Sequence, residues 1–295
     1  MDFFHKTSPE VSLHGRISHS SNTQTKPLLV FLHYWGGSSS TWHKLTSPTS
    51  PTSLASSYPI LAVDLRGWGK STGPSAEDGS SYSIFAMASD TASLLEHLSN
   101  DQKENHLLAH GFVLVGHSMG AKVALGTVAS LPAHLRQQLR GLVLVAPAPP
   151  GPLELPAEMK EQQKAAYASE ESIRWTVENV LASPGNLDDE DTRLVVQDSL
   201  SGNQLAKEAW PTYGMREDIS GRVREALASM GSADLRVRII VGDLDVVEPK
   251  ERVDAEVRGF LEECGIPVVL KIAAGVKHLV PLECPEIVYQ EVSVF

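Results

Sequence analysis

The sequence predicts an α/β fold: a mostly parallel central sheet, flanked by helices and interrupted once by an inserted helical cap. Three observations carry that expectation. Short apolar runs bounded by Gly, Pro or polar residues recur along the chain, and stretches with helical spacing fall between them. One long stretch, 147–234, holds helical patterns and no convincing strand.

Strands are expected at 11–18, 27–33, 59–66, 111–116, 141–146, 236–242 and 267–273. Runs such as Leu28-Leu29-Val30-Phe31-Leu32, Phe112-Val113-Leu114-Val115 and Leu142-Val143-Leu144-Val145 are apolar on both faces. That pattern suits the interior of a parallel sheet, which helices must cover on both sides. Helices are expected at 82–98, 120–131, 249–263 and 285–295. The breaker-rich stretch 46–57, with its Ser-Pro-Thr repetition, reads as a surface loop. The 147–234 stretch opens with Pro147-Ala148-Pro149-Pro150-Gly151-Pro152 and has helical patterns at 157–167, 170–181, 190–200 and 220–230. It divides the core into 1–146 and 235–295. Its aromatics, Tyr167, Trp175, Trp210 and Tyr213, would either form the core of the cap or line a pocket beneath it.

Composition removes several function classes. The 295 residues are 42% hydrophobic and 21% charged, as in ordinary globular chains. With 25 basic against 36 acidic residues, the formal charge of −11 disfavours nucleic acid and anionic membranes as partners. Two cysteines, Cys264 and Cys284, make no disulfide framework and point to a reducing compartment. The N-terminal stretch lacks the apolar core of a signal peptide, and no apolar run approaches the roughly 20 residues of a bilayer span. A cytoplasmic chain acting on a small molecule is the expectation.

Chemistry concentrates at strand ends. Gly116-His117-Ser118-Met119-Gly120 follows a buried strand and opens a helix, the context of a nucleophile elbow. Glycines relieve a turn too tight for Cβ atoms, and the helix N-terminus leaves the Met119 N–H free for developing negative charge. A nucleophilic serine needs a base, and the base an orienting carboxylate. Gly242-Asp243-Leu244-Asp245-Val246-Val247-Glu248-Pro249 follows one later strand, and Gly275-Val276-Lys277-His278 the next.

Together these stretches resemble the α/β-hydrolase family over nearly the whole chain, with serine, acid and histidine in that family's order. The resemblance implies Ser118 as nucleophile, His278 as base and Asp245 as acid, because Asp245 fits the family's G-x-x-D-x-x-x-P spacing. Asp243 is the alternative acid, and Glu248 is read as favouring the N-terminus of the following helix. The strand ending Val145-Ala146-Pro147-Ala148 offers no carboxylate for the acid position some members use. His33-Tyr34-Trp35-Gly36-Gly37-Ser38 is similar to the family's oxyanion loop, which implies backbone donors at Trp35 and Met119 and a structural role for His33. Tyr34 stands where the family usually has glycine. His278-Leu279-Val280-Pro281-Leu282-Glu283 is similar to the family's histidine loop.

Asp64-Leu65-Arg66-Gly67-Trp68-Gly69-Lys70-Ser71 is similar to a structural turn of the family. It is not a phosphate loop: a Walker A motif needs glycine at Asp64, and a dinucleotide fingerprint needs it at Thr72. No cofactor is implied. No metal is implied either, since there is no H-E-x-x-H pattern and His5, His14, His19, His43, His97, His106, His110 and His134 lack a catalytic setting.

The function these features imply is hydrolysis of a small hydrophobic carboxylic ester or lactone through a serine acyl-enzyme, with Trp35, His117, Trp175, Trp210 and Leu279 around the substrate. Serine rather than aspartate at the nucleophile position disfavours the alkyl-enzyme chemistry of the family's dehalogenases and epoxide hydrolases. Thioester or C–C hydrolysis, perhydrolysis and a non-catalytic small-ligand receptor are the alternatives, because one fold hosts many functions.

Overall fold

A computed structural model describes residues 1–19, 25–76, 78–230 and 235–295. Its strands are β1 (Asp2–Lys6), β2 (Ser12–Ser18), β3 (Leu28–Leu32), β4 (Ile60–Val63), β5 (Phe112–His117), β6 (Leu139–Val145), β7 (Arg236–Gly242) and β8 (Val268–Ala273). They form one sheet in the order β1-β2-β4-β3-β5-β6-β7-β8. Pairing is parallel from β4 through to β8, and antiparallel only where β2 meets β1 and β4. Each strand expected from the sequence is present within a few residues.

The edge strand β1 was not expected. Its residues alternate between exposed and half-buried, and Phe4 is 59% exposed, so the segment carries no core signature. It is held by its register with β2, in which Phe4 lies opposite His14.

The strands sort their side chains by parity. Leu28, Val30 and Leu32 of β3 enter one core and Leu29 and Phe31 the other; β5 and β6 divide the same way. The first core is covered by α2 (Ile84–Asn100), α3 (Met119–Ser130) and the insertion. The second is covered by α1 (His43–Thr46) and the C-terminal segment, with Trp42, Leu45, Val288 and Val292 buried in it. A short helix, α4 (Ala133–Arg136), leads into β6.

After β6 the chain leaves the sheet and forms α5 (Ala157–Ala166), α6 (Glu170–Thr176), α7 (Asp189–Ser201), α8 (Gln204–Thr212) and α9 (Ser220–Met230). The helical pattern at 170–181 is interrupted: α6 passes into a wider π-type turn over Val177–Leu181. Helix α8 was missed in the sequence because Gly202 and Pro211 bracket it as breakers. Asn203 caps it by accepting from the Leu205 N–H, and Pro211 falls in its last turn.

Helix α9 buries Val223, Ala226 and Leu227 in the first core and packs along α3, at the flank of the sheet. The segments over the strand ends are therefore α5 to α8. Amphipathic spacing identifies a buried face without saying which surface buries it. The end of the expected cap, 231–234, lies outside the described residues.

The neck of the insertion is tied to the sheet by Lys122 of α3, which is fully buried. Its ammonium donates to the carbonyls of Gly151 at 3.0 Å and Met215 at 3.1 Å, one on each limb of the insertion. Burial lowers its pKa to about 8, against the pull of nearby acidic groups. Beyond β7 come α10 (Lys250–Arg252), a π-type turn at Val253–Arg258 and α11 (Gly259–Glu263). After β8 follow α12 (Val280–Glu283) and α13 (Pro285–Val292). Among the described residues no helix is long and apolar enough to cross a membrane.

Candidate active site

The C-terminal ends of β3, β5, β7 and β8 meet beneath the insertion, the side on which open α/β sheets bind ligands. Ser118 joins β5 to α3 with φ 54° and ψ −115°, a conformation that costs a non-glycine residue about 1–3 kcal/mol. Close packing enforces it. A Cβ on Gly116 would stand 2.4 Å from the Gly120 carbonyl oxygen, and one on Gly120 would stand 2.3 Å from that of Leu32. Both flanking glycines are thus required by backbone approach, and the turn exposes the Ser118 side chain to a cavity.

The carboxylate that meets the histidine is Asp245. Its Oδ2 lies 2.8 Å from His278 Nδ1, and its Oδ1 accepts from the N–H groups of Val247 at 2.8 Å and Glu248 at 2.9 Å. Asp243 is exposed and accepts from the Gly275 N–H instead. Burial opposes a charged His278 ring, but the charge and hydrogen bond of Asp245 outweigh it and raise the ring's pKa above the ordinary 6.5.

The main chain around His278 is held as firmly. The N–H groups of His278 and Leu279 both donate to the Leu181 carbonyl at 3.0 Å, and His117 Nε2 donates to the His278 carbonyl at 2.8 Å. Glu283 accepts from the Lys277 and Ser183 N–H groups and from Asn186, joining the histidine loop to the insertion.

His33 belongs to the loop's framework: its Nδ1–H donates to the Tyr34 carbonyl at 2.7 Å while its Nε2 accepts from the Leu65 N–H at 3.0 Å. The insertion grips the carbonyls that follow. Tyr167 Oη donates to the Trp35 carbonyl and Ser199 Oγ to the Gly36 carbonyl, each at 2.8 Å. Trp35 Nε1 reaches the Lys207 carbonyl at 3.1 Å, and Asp198 accepts from Ser38 and Ser40. Tyr34, at the position where the sequence departs from the family pattern, lays its ring 5.0 Å from that of His117. Among the described residues the N–H groups of Trp35 and Met119 have no internal acceptor.

The 64–71 stretch is the expected turn. Asp64 accepts from the N–H groups of Ser39 and Lys70 and from His14, and Ser71 Oγ closes onto the Asp64 carbonyl.

Ser118 and His278 line one cavity of about 170 Å³, walled mainly by apolar side chains that include Trp35, Tyr167 and Trp210. Of the residues expected around a substrate, Trp35 and Trp210 are in this wall. His117 and Leu279 are fully buried behind it. Trp175 is 50% exposed and lies outside the cavity. Tyr213 is also outside: its hydroxyl accepts from the Tyr82 N–H. Tyr34 and Glu248 line the cavity without having been expected there. Glu248 stands, as expected, just before Pro249, the N-cap of α10, and it is also buried and salt-bridged to Arg252 at 2.8 Å. An acidic residue just before Pro249 carries no sequence signal of that burial.

Away from this site, His19, Glu104 and His106 bring possible ligand atoms within 4.8 Å of one another. Ser18 pairs with Ile60 at the start of β4, so this group lies at the opposite end of the parallel strands from Ser118.

A model of the "Alpha/beta hydrolase family" matches residues 29–291. The chain belongs to this family. Among curated relatives, the chain is 29% identical over 143 residues to a probable lysophospholipase, BODYGUARD 1, of Arabidopsis thaliana. It is 28% identical over 157 residues to protein phosphatase methylesterase 1 of Mus musculus. The matches cover 48% and 52% of this chain but 27% and 37% of those relatives, so the shared region is well under half of each. Solved structures agree over the full length. A putative aryl esterase from Burkholderia cenocepacia superposes with a TM-score of 0.76 at 20% identity, covering 100% of this chain and 97% of that one. An esterase from Exiguobacterium antarcticum gives 0.76 at 17% identity, covering 100% and 98%. These likenesses establish the fold.

Proposed function

We propose that this member of the family cleaves small, largely apolar carboxylic esters or lactones through an acyl-enzyme on Ser118. The observation that carries the reading is the Asp245–His278 hydrogen bond at 2.8 Å, opening onto the cavity that also receives the strained Ser118. Asp245 holds Nδ1–H, so the neutral ring presents Nε2 as a base. Ser118 Oγ attacks the substrate carbonyl carbon and His278 Nε2 takes the hydroxyl proton. The carbonyl oxygen becomes an oxyanion that the free N–H groups of Trp35 and Met119 stabilise. His278 returns the proton to the leaving alkoxide; the alcohol departs from an ester, or stays tethered to the acyl group when a lactone opens. Water then repeats the cycle: His278 takes its proton, its oxygen attacks the acyl carbon, and Ser118 Oγ leaves reprotonated.

The small apolar cavity supports a compact substrate over a polymer or a long acyl chain. Two relatives whose names include lysophospholipase and methylesterase fit the same reaction class.

A fluorophosphonate probe with peptide mapping, together with a panel of aryl esters of increasing acyl length, tests the proposal. Labelling confined to Ser118, turnover of short esters and loss of both in Ser118→Ala are the expected results. An active Ser118→Ala variant, or labelling at another residue, overturns it.

A further inference from the structure

The acyl-enzyme chemistry makes no use of Glu248, although this residue lines the same cavity as Ser118 and His278 and is only 1% exposed. A carboxyl in an apolar wall is costly unless its oxygens are paired. One of them is: Oε2 accepts from Arg252 at 2.8 Å. The other, Oε1, has no protein donor among the described residues, in a side chain that lines the cavity.

Its position is registered against the reacting centre. The Glu248 N–H donates to Asp245 Oδ1, the carboxylate whose other oxygen holds His278. The charged and titratable groups that act on it are Arg252 on the following helix, His278 on the histidine loop, Asp245 on its own loop and Lys122 on α3.

These surroundings define the ligand chemistry. Arg252 already neutralises the carboxylate, and an ammonium entering an otherwise apolar cavity would lose its hydration without a counter-charge of its own. A neutral hydroxyl needs only one acceptor. Thr176 points the same way: it lines the cavity while its Oγ1–H is committed to the Ser172 carbonyl at 2.8 Å, so towards a ligand it only accepts.

We propose that Glu248 Oε1 is a specificity point for a hydroxyl group on the substrate, so that the preferred substrates are hydroxylated, otherwise apolar esters or lactones. The assignment rests on the reading of Ser118 as an ester-cleaving nucleophile. Above about pH 7, where Glu248 is ionised, a hydroxyl on this buried acceptor favours its substrate by roughly 10- to 100-fold in kcat/KM over a methyl isostere.

The experiment compares isosteric pairs in two arms. In the acyl arm, p-nitrophenyl 3-hydroxybutanoate is set against p-nitrophenyl 3-methylbutanoate; in the alcohol arm, 2-hydroxypropyl butanoate against isobutyl butanoate. A 3-aminobutanoate ester serves as the cationic comparison. The wild type should prefer the hydroxyl member in one arm, and Glu248→Leu should abolish that ratio. Since Glu248→Leu strands the Arg252 guanidinium, the double variant Glu248→Leu/Arg252→Leu provides a folded alternative in which both partners are apolar.

Equal rates within both pairs, or a hydroxyl preference that survives in the Leu variants, overturn the assignment. So does a preference for the ammonium ester alone. In each of these cases esters are still cleaved and the hydrolase reading stands. Absence of turnover on every ester together with an unlabelled Ser118 removes that reading, and this inference with it.

Discussion

Tyr167, at the end of the first insertion helix, donates a hydrogen bond to the carbonyl of Trp35 at 2.8 Å, and the two rings lie 4.2 Å apart. The insertion is thereby coupled to the loop that carries the Trp35 N–H proposed as an oxyanion donor. A Cβ on Gly36 would fall 2.4 Å from the Tyr167 ring, so the loop backbone and the tyrosine occupy one tightly matched space.

This contact makes Tyr167 a positioning residue. Tyr167→Phe keeps the ring and removes the bond that fixes the Trp35–Gly36 peptide, next to the Tyr34–Trp35 peptide that carries the Trp35 N–H, while His33 still holds the Tyr34 carbonyl and Ser199 the Gly36 carbonyl. Loss of oriented oxyanion stabilisation should lower kcat by about 10-fold with little change in KM, less than the 10²–10³ typical of losing a donor outright. Steady-state kinetics on one short ester decides it; a change confined to KM would make the contact a substrate contact only.

The two neighbouring aspartates should separate sharply. Asp245→Asn leaves the size of the side chain intact but favours the wrong histidine tautomer, which costs about 10⁴ in kcat in comparable triads. Asp243→Asn disturbs only a bond to the Gly275 N–H at the surface and should stay within about 3-fold of wild type. Parallel kcat measurements on the two variants check the ranking, and the reverse order would move the acid role to Asp243.

Two groups set the pH profile. His278 must be neutral to act as base, and its pKa is raised, so the acid limb of kcat/KM should have its midpoint above 6.5. Burial also lifts Glu248 from 4.5 to about 7 despite the opposing pull of Arg252. Glu248→Gln removes a negative charge near His278 and should move the limb downward. The linked stability effect has the opposite pH sense to that of a salt-bridged surface acid. A folded-state pKa above the unfolded one favours folding fully below about 4.5, and this advantage is lost as pH rises through about 7. Thermal melts at about pH 5 and about pH 8.5 should therefore show Glu248→Gln gaining on the wild type at the higher pH.

The tryptophans of the insertion should part company. Trp210 lines the cavity, so Trp210→Ala should change the ranking of esters by acyl length, with shifts of about 10-fold or more between members. Trp175 is exposed on the outer face of its helix and Trp175→Ala should leave that ranking unchanged. A chain-length series of p-nitrophenyl esters measures both, and a shifted ranking in Trp175→Ala would place that residue in the substrate path.

Much of this molecule was legible because its signals are local. The interior strands announce themselves as unbroken apolar runs, since parallel strands covered on both faces have no polar side to show. Gly116 and Gly120 mark the turn around Ser118 because no other residue fits where backbone oxygens approach within a Cβ radius. The spacing from Gly242 singles out Asp245, and the structure places its carboxylate against His278.

What the tertiary structure alone decided concerns which surfaces meet. Edge strand β1 exists through pairing with β2, a contact its own composition does not encode. Trp175 and Trp210 look alike in sequence, yet one faces outward and one faces the cavity, because the orientation of each helix is set by packing, α6 against α5 and α7, and α8 against α5. Glu248 is buried beside the cavity with Arg252, one helical turn on, pairing one of its oxygens. Tyr167 reaches Trp35 across 132 residues of chain, a pairing that sequence spacing cannot express and that folding brings to hydrogen-bond distance.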